Sequence, residues 1–572
     1  MHSPRKKLAF LLSFLFVSML LPAQPALTER PPKREVRAVW ITIFHNMDWP
    51  KTRAVDDVTR QQQQEELCQM LDQCKEAGIN TVLMQTRVGA CTLYPSKIEP
   101  WHKSLTGTED GDPGYDPLAF AVKECHKRGM EIQCWIAAIP VGAYNGVGAR
   151  RLREKGFPMR RFQPGTYLDP SYEEVPGYLA SLCGEMVSRY DVDGIHLDFI
   201  RYSELWPRAD SAEEADRRRG YITAIVRRIH DTVKAIKPWV KMSCSPLGKY
   251  ADLPRYSSRD WDARDRVFQE AQAWLKQGLM DQLYPMMYFQ GNQFYPFAID
   301  WNENRNERII APGLGIYFLS PKEKNWDVEV VSRQLHFLRD EGMGHAFFRC
   351  KFLLDDVKGL YGIVKDEINN VPSLVPPMPI PTRYAQNTTM PQQPAKLTLK
   401  RGKGFDRLVW TDNKAFPQAN GDYHLFNIYA SESYPVDINN PDNIIATRTT
   451  NCTMDIPTKG KGVSMHYAVT ATDRYGREST AATTPAPNST SDREIPGMLI
   501  CDGKRLIIPE KAVASDAEFI AIESAAGNII ATRPYSTTSV DVSKIPQGFY
   551  VVRSLDRKGS GHRLGFFILR RK

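Results

Sequence analysis

Short apolar runs alternate with amphipathic stretches from Glu35 to about Asn370. The runs lie at Val36–Ile43, Thr81–Gln85, Glu131–Ala138, Gly194–Ile200, Val240–Ser245, Met280–Tyr288, Ile309–Ile316 and His345–Arg349, and read as strands covered on both faces. Between them apolar residues recur at helical spacing in Asp57–Ala77, Pro117–Arg128, Glu173–Arg189, Glu213–Ile236, Arg264–Gln277 and Val328–Glu341, and after the last run in Leu354–Asn369. The sixth connection, Phe289–Arg308, shows no clear helix. This alternation predicts an α/β fold, a (β/α)8 TIM barrel over residues 33–371. A doubly wound open sheet is the other arrangement compatible with it.

Residues 372–394 hold seven prolines and no period, which is a linker composition. Beyond them period-two alternation sets in at Arg407–Thr411, His424–Ala430, Asn451–Asp455 and Ser464–Thr472, with turn residues at Asp473–Gly476. Trp410 on an early strand and the late strand from Tyr467 to Asp473 make residues 395–487 similar to a fibronectin type III module, an all-β sandwich. A second small all-β module is expected over residues 497–572. Its Ile545–Arg553 stretch and its closing Phe566–Lys572 resemble the C-terminal sorting domain of type IX secretion substrates, and a second plain sandwich accounts for the same pattern.

Composition narrows the class. With 42% hydrophobic and 25% charged residues the chain reads as globular, and Lys+Arg 75 against Asp+Glu 66 gives a charge of +9 without the dense basic stripe of a nucleic-acid binder. Residues 1–23 combine Arg5, Lys6 and Lys7 with an uncharged stretch from Leu8 to Leu21 and a small residue at Ala23, the pattern of a secretory signal. The alternative is a signal anchor, but the stretch falls short of the ~20 residues that span a bilayer. The expectation is an exported protein with no transmembrane segment, periplasmic, cell-surface or extracellular, with envelope association among its options. Ten cysteines could then mean disulfides, yet Cys134, Cys244 and Cys350 lie in strand-like runs, and no CxxC pair or zinc spacing occurs. Buried free thiols are the preferred reading.

In a barrel of this kind chemistry belongs at the C-terminal strand ends. The fourth run places His196 and Asp198 on the same side, toward the barrel interior, and a carboxylate there is costly unless it has a partner or a task. Asp198 is the candidate catalytic residue. Trp40, Asp48, Trp49, Arg87, His196, Arg201, Tyr202 and Tyr288 are the candidate substrate-binding residues, with Trp135, Glu99 to Trp101 and Gly313–Tyr317 at the same rim. Such a set suits stacking on sugar faces and hydrogen bonding to hydroxyls. An alternative role for Asp198 is a brace, paired with Arg201 or Arg87. No cofactor and no metal are expected, because no paired-His motif occurs.

Six segments carry a resemblance: Glu35-Val-Arg-Ala-Val-Trp-Ile-Thr42, Met47-Asp-Trp-Pro50, Pro113-Gly-Tyr-Asp-Pro-Leu118, Cys125-His-Lys-Arg-Gly129, Asp193-Gly-Ile-His-Leu-Asp198 and Pro312-Gly-Leu-Gly-Ile-Tyr317. Together, in this order, they make residues 33–370 similar to the glycosyl-hydrolase-like family ten of secreted bacterial barrels. The resemblance implies a TIM-barrel glycoside hydrolase, and a relative of this kind acts on peptidoglycan glycan strands stripped of their peptides.

Glycoside hydrolysis generally uses two carboxyl groups. Asp198 is assigned the general-acid role, on the expectation that its apolar strand raises its proton affinity. A chitinase mechanism is not supported, since His196 and Ile200 stand where that signature has Asp and Glu. For the second carboxylate Asp48, Glu99, Glu204, Asp300 and Glu303 all remain open, with Asp281 disfavoured because it begins its strand. The competing function is a carbohydrate-binding protein on an inactive barrel. Finally, Arg150, Arg151, Arg153, Lys155, Arg160 and Arg161 follow the third strand, where they could attract an acidic glycan or simply form a solvated loop.

Overall fold

A computed structural model describes residues 30–380, 389–418, 420–458, 465–485, 499, 501, 504–508, 517–535, 539–559 and 561–569. The export signal expected at residues 1–23 lies outside the described residues. The chain divides into two units, residues 1–484 and 485–572.

The first unit is built on eight parallel stretches: β1 (Arg37–Ile41), β2 (Thr81–Val88), β3 (Glu131–Ala137), β4 (Gly194–Asp198), β5 (Lys241–Cys244), β6 (Gln282–Leu283), β7 in two pieces (Ile309–Ile310 and Gly313–Leu314) and β8 (His345–Phe347). Each pairs with the next, the second piece of β7 pairs with β8, and β8 pairs with β1. Between the two pieces of β7 the ladder continues: Ala311 N–H donates to Leu283, and Ala346 N–H donates to Pro312. The sheet thus meets itself within one short stretch, a TIM-like α/β architecture.

Around it run α1 (Asp57–Glu76), α2 (Pro117–Lys127), α3 (Glu174–Arg189), α4 (Ala212–Ile236), α5 (Ala271–Lys276), α6 (Tyr295–Glu303), α7 (Val328–Asp340) and the short α8 (Cys350–Leu354). Their starts are set by local chemistry. Asp56 accepts the Thr59 amide before α1, Asp116 accepts the Ala119 amide with Pro117 opening α2, and Ser211 accepts the Glu214 amide before α4. The sixth connection does hold a helix, α6. Pro296 reads as a breaker but sits in the first turn, where proline is tolerated, and Phe297, Ala298 and Trp301 make its buried stripe. Conversely, α5 is shorter than its periodicity, because Phe268 at φ +62° cannot continue a helix.

Alternation along the strands sorts the core. Val39, Ile41, Met84, Ile195, Leu197 and Met242 face the helices. Ala38, Trp40, Leu83, Trp135, Tyr284 and Ala346 form a separate interior cluster. Polar interior residues complete it through a directed hydrogen-bond chain: Trp40 Nε1–H to His196 Nε2 (3.2 Å), His196 Nδ1 to Ser243 Oγ (2.9 Å), Ser243 Oγ–H to Gln133 Oε1 (2.6 Å) and Gln133 Nε2–H to Gln282 Oε1 (2.7 Å). An indole only donates, so Nε2 of His196 accepts and Nδ1 carries the proton.

Between β3 and α3 the chain adds a helix, Val147–Glu154, and a three-stranded antiparallel sheet of Pro140–Gly142, Gly165–Leu168 and Met159–Phe162. At the other end of the barrel an all-β module packs on the strand starts. Its sheets are Ala395–Arg401/Phe405–Thr411/Thr453–Pro457 and Ile444–Thr449/Leu425–Ser431/His466–Thr472/Ala482–Thr483, with Leu408, Trp410, Phe426, Ile428, Tyr467 and Val469 between them. The junction is ionic and buried. Arg448 binds Glu131 (2.9 Å) and Asp193 (2.7 Å), Glu131 also meets Lys241, and Asp193 also meets His126 (2.9 Å). Arg474 binds Asp191 (2.8 Å), which accepts the Tyr423 hydroxyl.

The second unit pairs Arg505–Ile507 with Ser539–Asp541 and forms a four-stranded antiparallel sheet, Ile529–Pro534/Phe519–Ser524/Gly548–Leu555/Gly561–Leu569, over Leu506, Ile520, Ile522, Val552 and Phe567. Among the described residues no helix is long and apolar enough to cross a membrane.

Candidate functional site

Asp198 ends β4 inside the barrel mouth and is 6% exposed. The backbone turns sharply there, since Phe199 takes the left-handed conformation (φ +49°), and its amide folds back onto Asp198 Oδ1 at 2.8 Å. Ser245, just past β5, donates its hydroxyl to the same oxygen at 3.0 Å, and Trp135 on β3 donates its indole N–H to Oδ2 at 3.0 Å. Burial pushes the proton affinity of Asp198 up, against the pull of the Arg201 charge and of these donors. A carboxyl group with raised proton affinity, and with donors arranged to receive its anion, suits proton transfer to a departing oxygen.

Around this carboxyl stands an aromatic wall. Tyr288, beyond β6, stacks on Phe348, beyond β8, with ring centroids 5.4 Å apart and planes at 23°. Tyr317 meets both edge-on, at 5.8 Å from Tyr288 and 5.9 Å from Phe348. Trp40 meets Phe348 edge-on at 5.9 Å. Tyr288 and Phe348 are each partly exposed. The Tyr288 hydroxyl is pushed well above its ordinary range by burial and then by the Asp198 charge, which places it in the field of that carboxylate.

Of the expected site residues, the structure gathers Asp198, Trp40, His196, Arg201 and Tyr288. His196 lies one level beneath Asp198, fully buried. Its pKa is lowered to about 3 by burial, so it is a neutral link in the interior chain. Arg201 is 4% exposed, binds Glu204 Oε2 at 2.9 Å, lies over the Phe199 ring at 4.7 Å and acts on Asp198 by charge.

Four others are not brought to Asp198. Asp48 is sealed between Arg349 (2.5 Å) and the Thr42 amide (3.0 Å), tying the end of β1 to the segment after β8. Trp49 is fully buried under α1, with its indole N–H on Gln63 O at 2.9 Å. Arg87 is fully buried in an ion pair with Glu99 (2.8 Å) and also binds the Ala138 carbonyl (2.9 Å), bracing β2 to β3. Tyr202 packs against Trp206 and Phe268, with centroids 5.1 and 5.4 Å away. The groups that Asp48, Trp49 and Arg87 would offer a substrate already have partners in the fold.

The carboxylates left open by the sequence separate in the same way. Asp48 and Glu99 are enclosed in ion pairs, Asp300 and Glu303 both lie on α6, where Asp300 accepts from Gln272, and the disfavoured Asp281 pairs with Lys234 (2.8 Å) at the strand start. Glu204 keeps 38% of its side chain exposed, and although burial raises its pKa, Arg201, its own backbone amide and Arg266 together lower it. In the basic stretch, Arg150 pairs with Glu109, Arg151 with Asp110 and Arg160 with Asp169, while Arg153 and Arg161 lie over Tyr144 at 4.0 and 4.8 Å. Much of its charge is locally matched.

Ser245 and Phe348 are the residues that sequence reasoning missed. The available signal was parity: each lies two positions beyond an interior residue, Ser243 and Ala346, at a strand's C-terminal end.

A profile of the family described as Glycosyl hydrolase-like 10 matches residues 35–318. Glycosyl hydrolase YngK of Bacillus subtilis (strain 168) is 27% identical over 464 residues, 75% of this chain and 89% of that protein. Glycosyl hydrolase DigH of Escherichia coli (strain K12) is 30% identical over 310 residues, 48% of this chain and 70% of that protein. Among solved structures, the PgaB (BpsB) glycoside hydrolase domain from Bordetella bronchiseptica aligns with a TM-score of 0.43 and 12% identity, over 58% of this chain and 99% of that one.

Proposed function

The chain belongs to the glycosyl hydrolase-like 10 family, and we propose that it is an exported glycoside hydrolase that cleaves O-glycosidic bonds by carboxylate acid/base catalysis. The substrate proposed is the peptidoglycan glycan strand stripped of its peptides, as the motif resemblance implies. The observation that carries the reading is Asp198, a carboxyl at the barrel mouth whose proton affinity burial raises and which accepts from three donors.

In this mechanism Asp198 gives its proton to the glycosidic oxygen as the bond to the anomeric carbon breaks. The carboxylate so formed is received by Trp135 Nε1–H, Ser245 Oγ–H and the Phe199 amide, which are already in place and need no reorganisation. Tyr288 and Phe348 offer a partly exposed aromatic surface for a sugar ring. Glu204, ionised beside Arg201 and open to solvent, is the proposed second carboxylate, which would either activate water or attack the anomeric carbon. Residues 395–487 are proposed as a fibronectin type III-like module and residues 497–572 as a separate β-module.

The test is product mass spectrometry after incubation with peptide-free glycan strands and with a panel of neutral polysaccharides. New reducing ends from the wild type, lost in folded Asp198→Asn, are expected. Undiminished cleavage by that variant refutes the assignment. A second reading, carbohydrate binding without turnover, is favoured by the enclosure of Asp48 and Glu99 in buried ion pairs; saturable glycan binding with no product across the panel would establish it instead.

A further inference from the structure

The thiols of Cys74 and Cys350 touch. Their sulfurs are 3.7 Å apart across a sequence separation of 276 residues, and both side chains are fully buried. Cys74 lies in the last turn of α1, and Cys350 is the first residue of α8. A disulfide needs about 2.05 Å between sulfurs, so the two sulfurs must close by roughly 1.6 Å for the bond to form. We propose that Cys74 and Cys350 become joined by a disulfide when the chain folds in an oxidising compartment.

The reaction is exchange with an external protein or small-molecule disulfide. One cysteine, deprotonated, attacks a sulfur of that disulfide and expels a thiolate, leaving a mixed disulfide. The second cysteine, deprotonated in turn, attacks the protein-side sulfur and expels the other external thiolate. Two electrons pass to the oxidant, which leaves as its dithiol with the two protons. In the closed fold the Cys350 thiol is held protonated by its contact with Cys74 and by burial, so exchange occurs before α8 docks or while this five-residue helix is open.

The position gives the bond a consequence. The two residues before Cys350 are Phe348, which stacks on Tyr288, and Arg349, which pairs with Asp48. A bond from Cys350 to α1 anchors the segment that carries this part of the aromatic wall. Other groups share the neighbourhood: Cys125 lies within electrostatic reach of Cys74, and Asp48 and Arg349 face Cys350. Cys125 is therefore the competing partner to be tested.

The full chain, unfolded and then refolded in a mixture of reduced and oxidised glutathione, is alkylated, digested and mapped by mass spectrometry. The expected result is a linked pair of peptides containing Cys74 and Cys350, absent after reduction and absent in Cys350→Ser and in Cys74→Ala. The thermal midpoint of the wild type should fall on adding reductant, while that of Cys350→Ser should not respond. Full alkylation of both residues after oxidative refolding, or a link between Cys74 and Cys125, overturns the proposal.

Discussion

Replacing Ser245 by Ala separates an acid from a base at Asp198. The substitution removes one hydroxyl donor, at 3.0 Å from Oδ1, and leaves the Phe199 amide at 2.8 Å and the Trp135 indole at 3.0 Å. A hydrogen bond to a charged group is worth about 1.5–3 kcal/mol, and one pKa unit corresponds to about 1.4 kcal/mol, so losing this donor should raise the Asp198 pKa further, by about 1–2 units. As the proton donor, Asp198 is competent below its pKa, and the alkaline limb of the kcat/KM profile should move up by that amount. If Asp198 worked ionised, the acid limb would move up instead.

Stability gives an independent check. In the folded state Asp198 binds its proton more tightly than in the unfolded chain. Folding stability therefore falls as pH rises from the ordinary Asp value, about 3.9, to the raised one, and stays lower above it. Ser245→Ala widens that window, so the variant should match the wild type near pH 3.5 more closely than at pH 7, where the added loss is about 1.5–3 kcal/mol. The measurements are initial rates of reducing-end release across pH and denaturant unfolding at both pH values. A folded variant in which neither limb moves, with a stability difference independent of pH, would refute the reasoning.

Other outcomes follow from the same contacts. Arg448→Ala leaves Glu131 and Asp193 short of a buried cation, and should cost about 3–5 kcal/mol in denaturant unfolding; a loss below about 1 kcal/mol would contradict the buried network. His196 and His345, each fully buried with pKa lowered to about 3 by burial, are neutral when folded, whereas unfolded histidines gain a proton below about 6.5. Stability should accordingly fall from pH 6.5 toward pH 5, and a flat profile there would show that these rings are not held neutral. Gly315→Ala would place a Cβ 2.9 Å from Tyr288 Cβ and 3.1 Å from its ring. Displacement of Tyr288 should raise KM for glycan with little change in thermal midpoint, and an unchanged KM would remove Tyr288 from the binding surface.

The parity of β4 made Asp198 and His196 legible as an interior pair, because a strand has one geometry and its apolar neighbours Ile195 and Leu197 marked the other face. The same rule fails at β2, where the register slips between Gln85 and Arg87, so Arg87 leaves the interior series and meets Glu99. It fails again after Asp198, where the left-handed Phe199 reverses the chain and carries Tyr202 under Trp206 and Phe268. Trp49 is the right residue type at the right rim, but only the packing of α1 decides that it faces inward. Ser245 and Phe348 stayed hidden for the opposite reason: a serine and a phenylalanine at strand ends are chemically ordinary, and their meaning comes from the neighbours across the barrel. The α6 helix was obscured by its own first-turn proline.

The ionic junction at the foot of the barrel bears on how such a chain can be reshuffled. Glu131 and Asp193 flank the starts of β3 and β4, and the cations that complete them, Arg448 and Arg474, arrive from beyond the proline-rich stretch. Grafting a foreign β-module onto this barrel would leave Glu131 with Lys241 and Asp193 with His126 as their remaining partners unless the newcomer supplied matching guanidinium groups. In this chain, then, the two arginines act as a key that the module brings to the barrel, and replacing the module without them would call for changing the acids they meet.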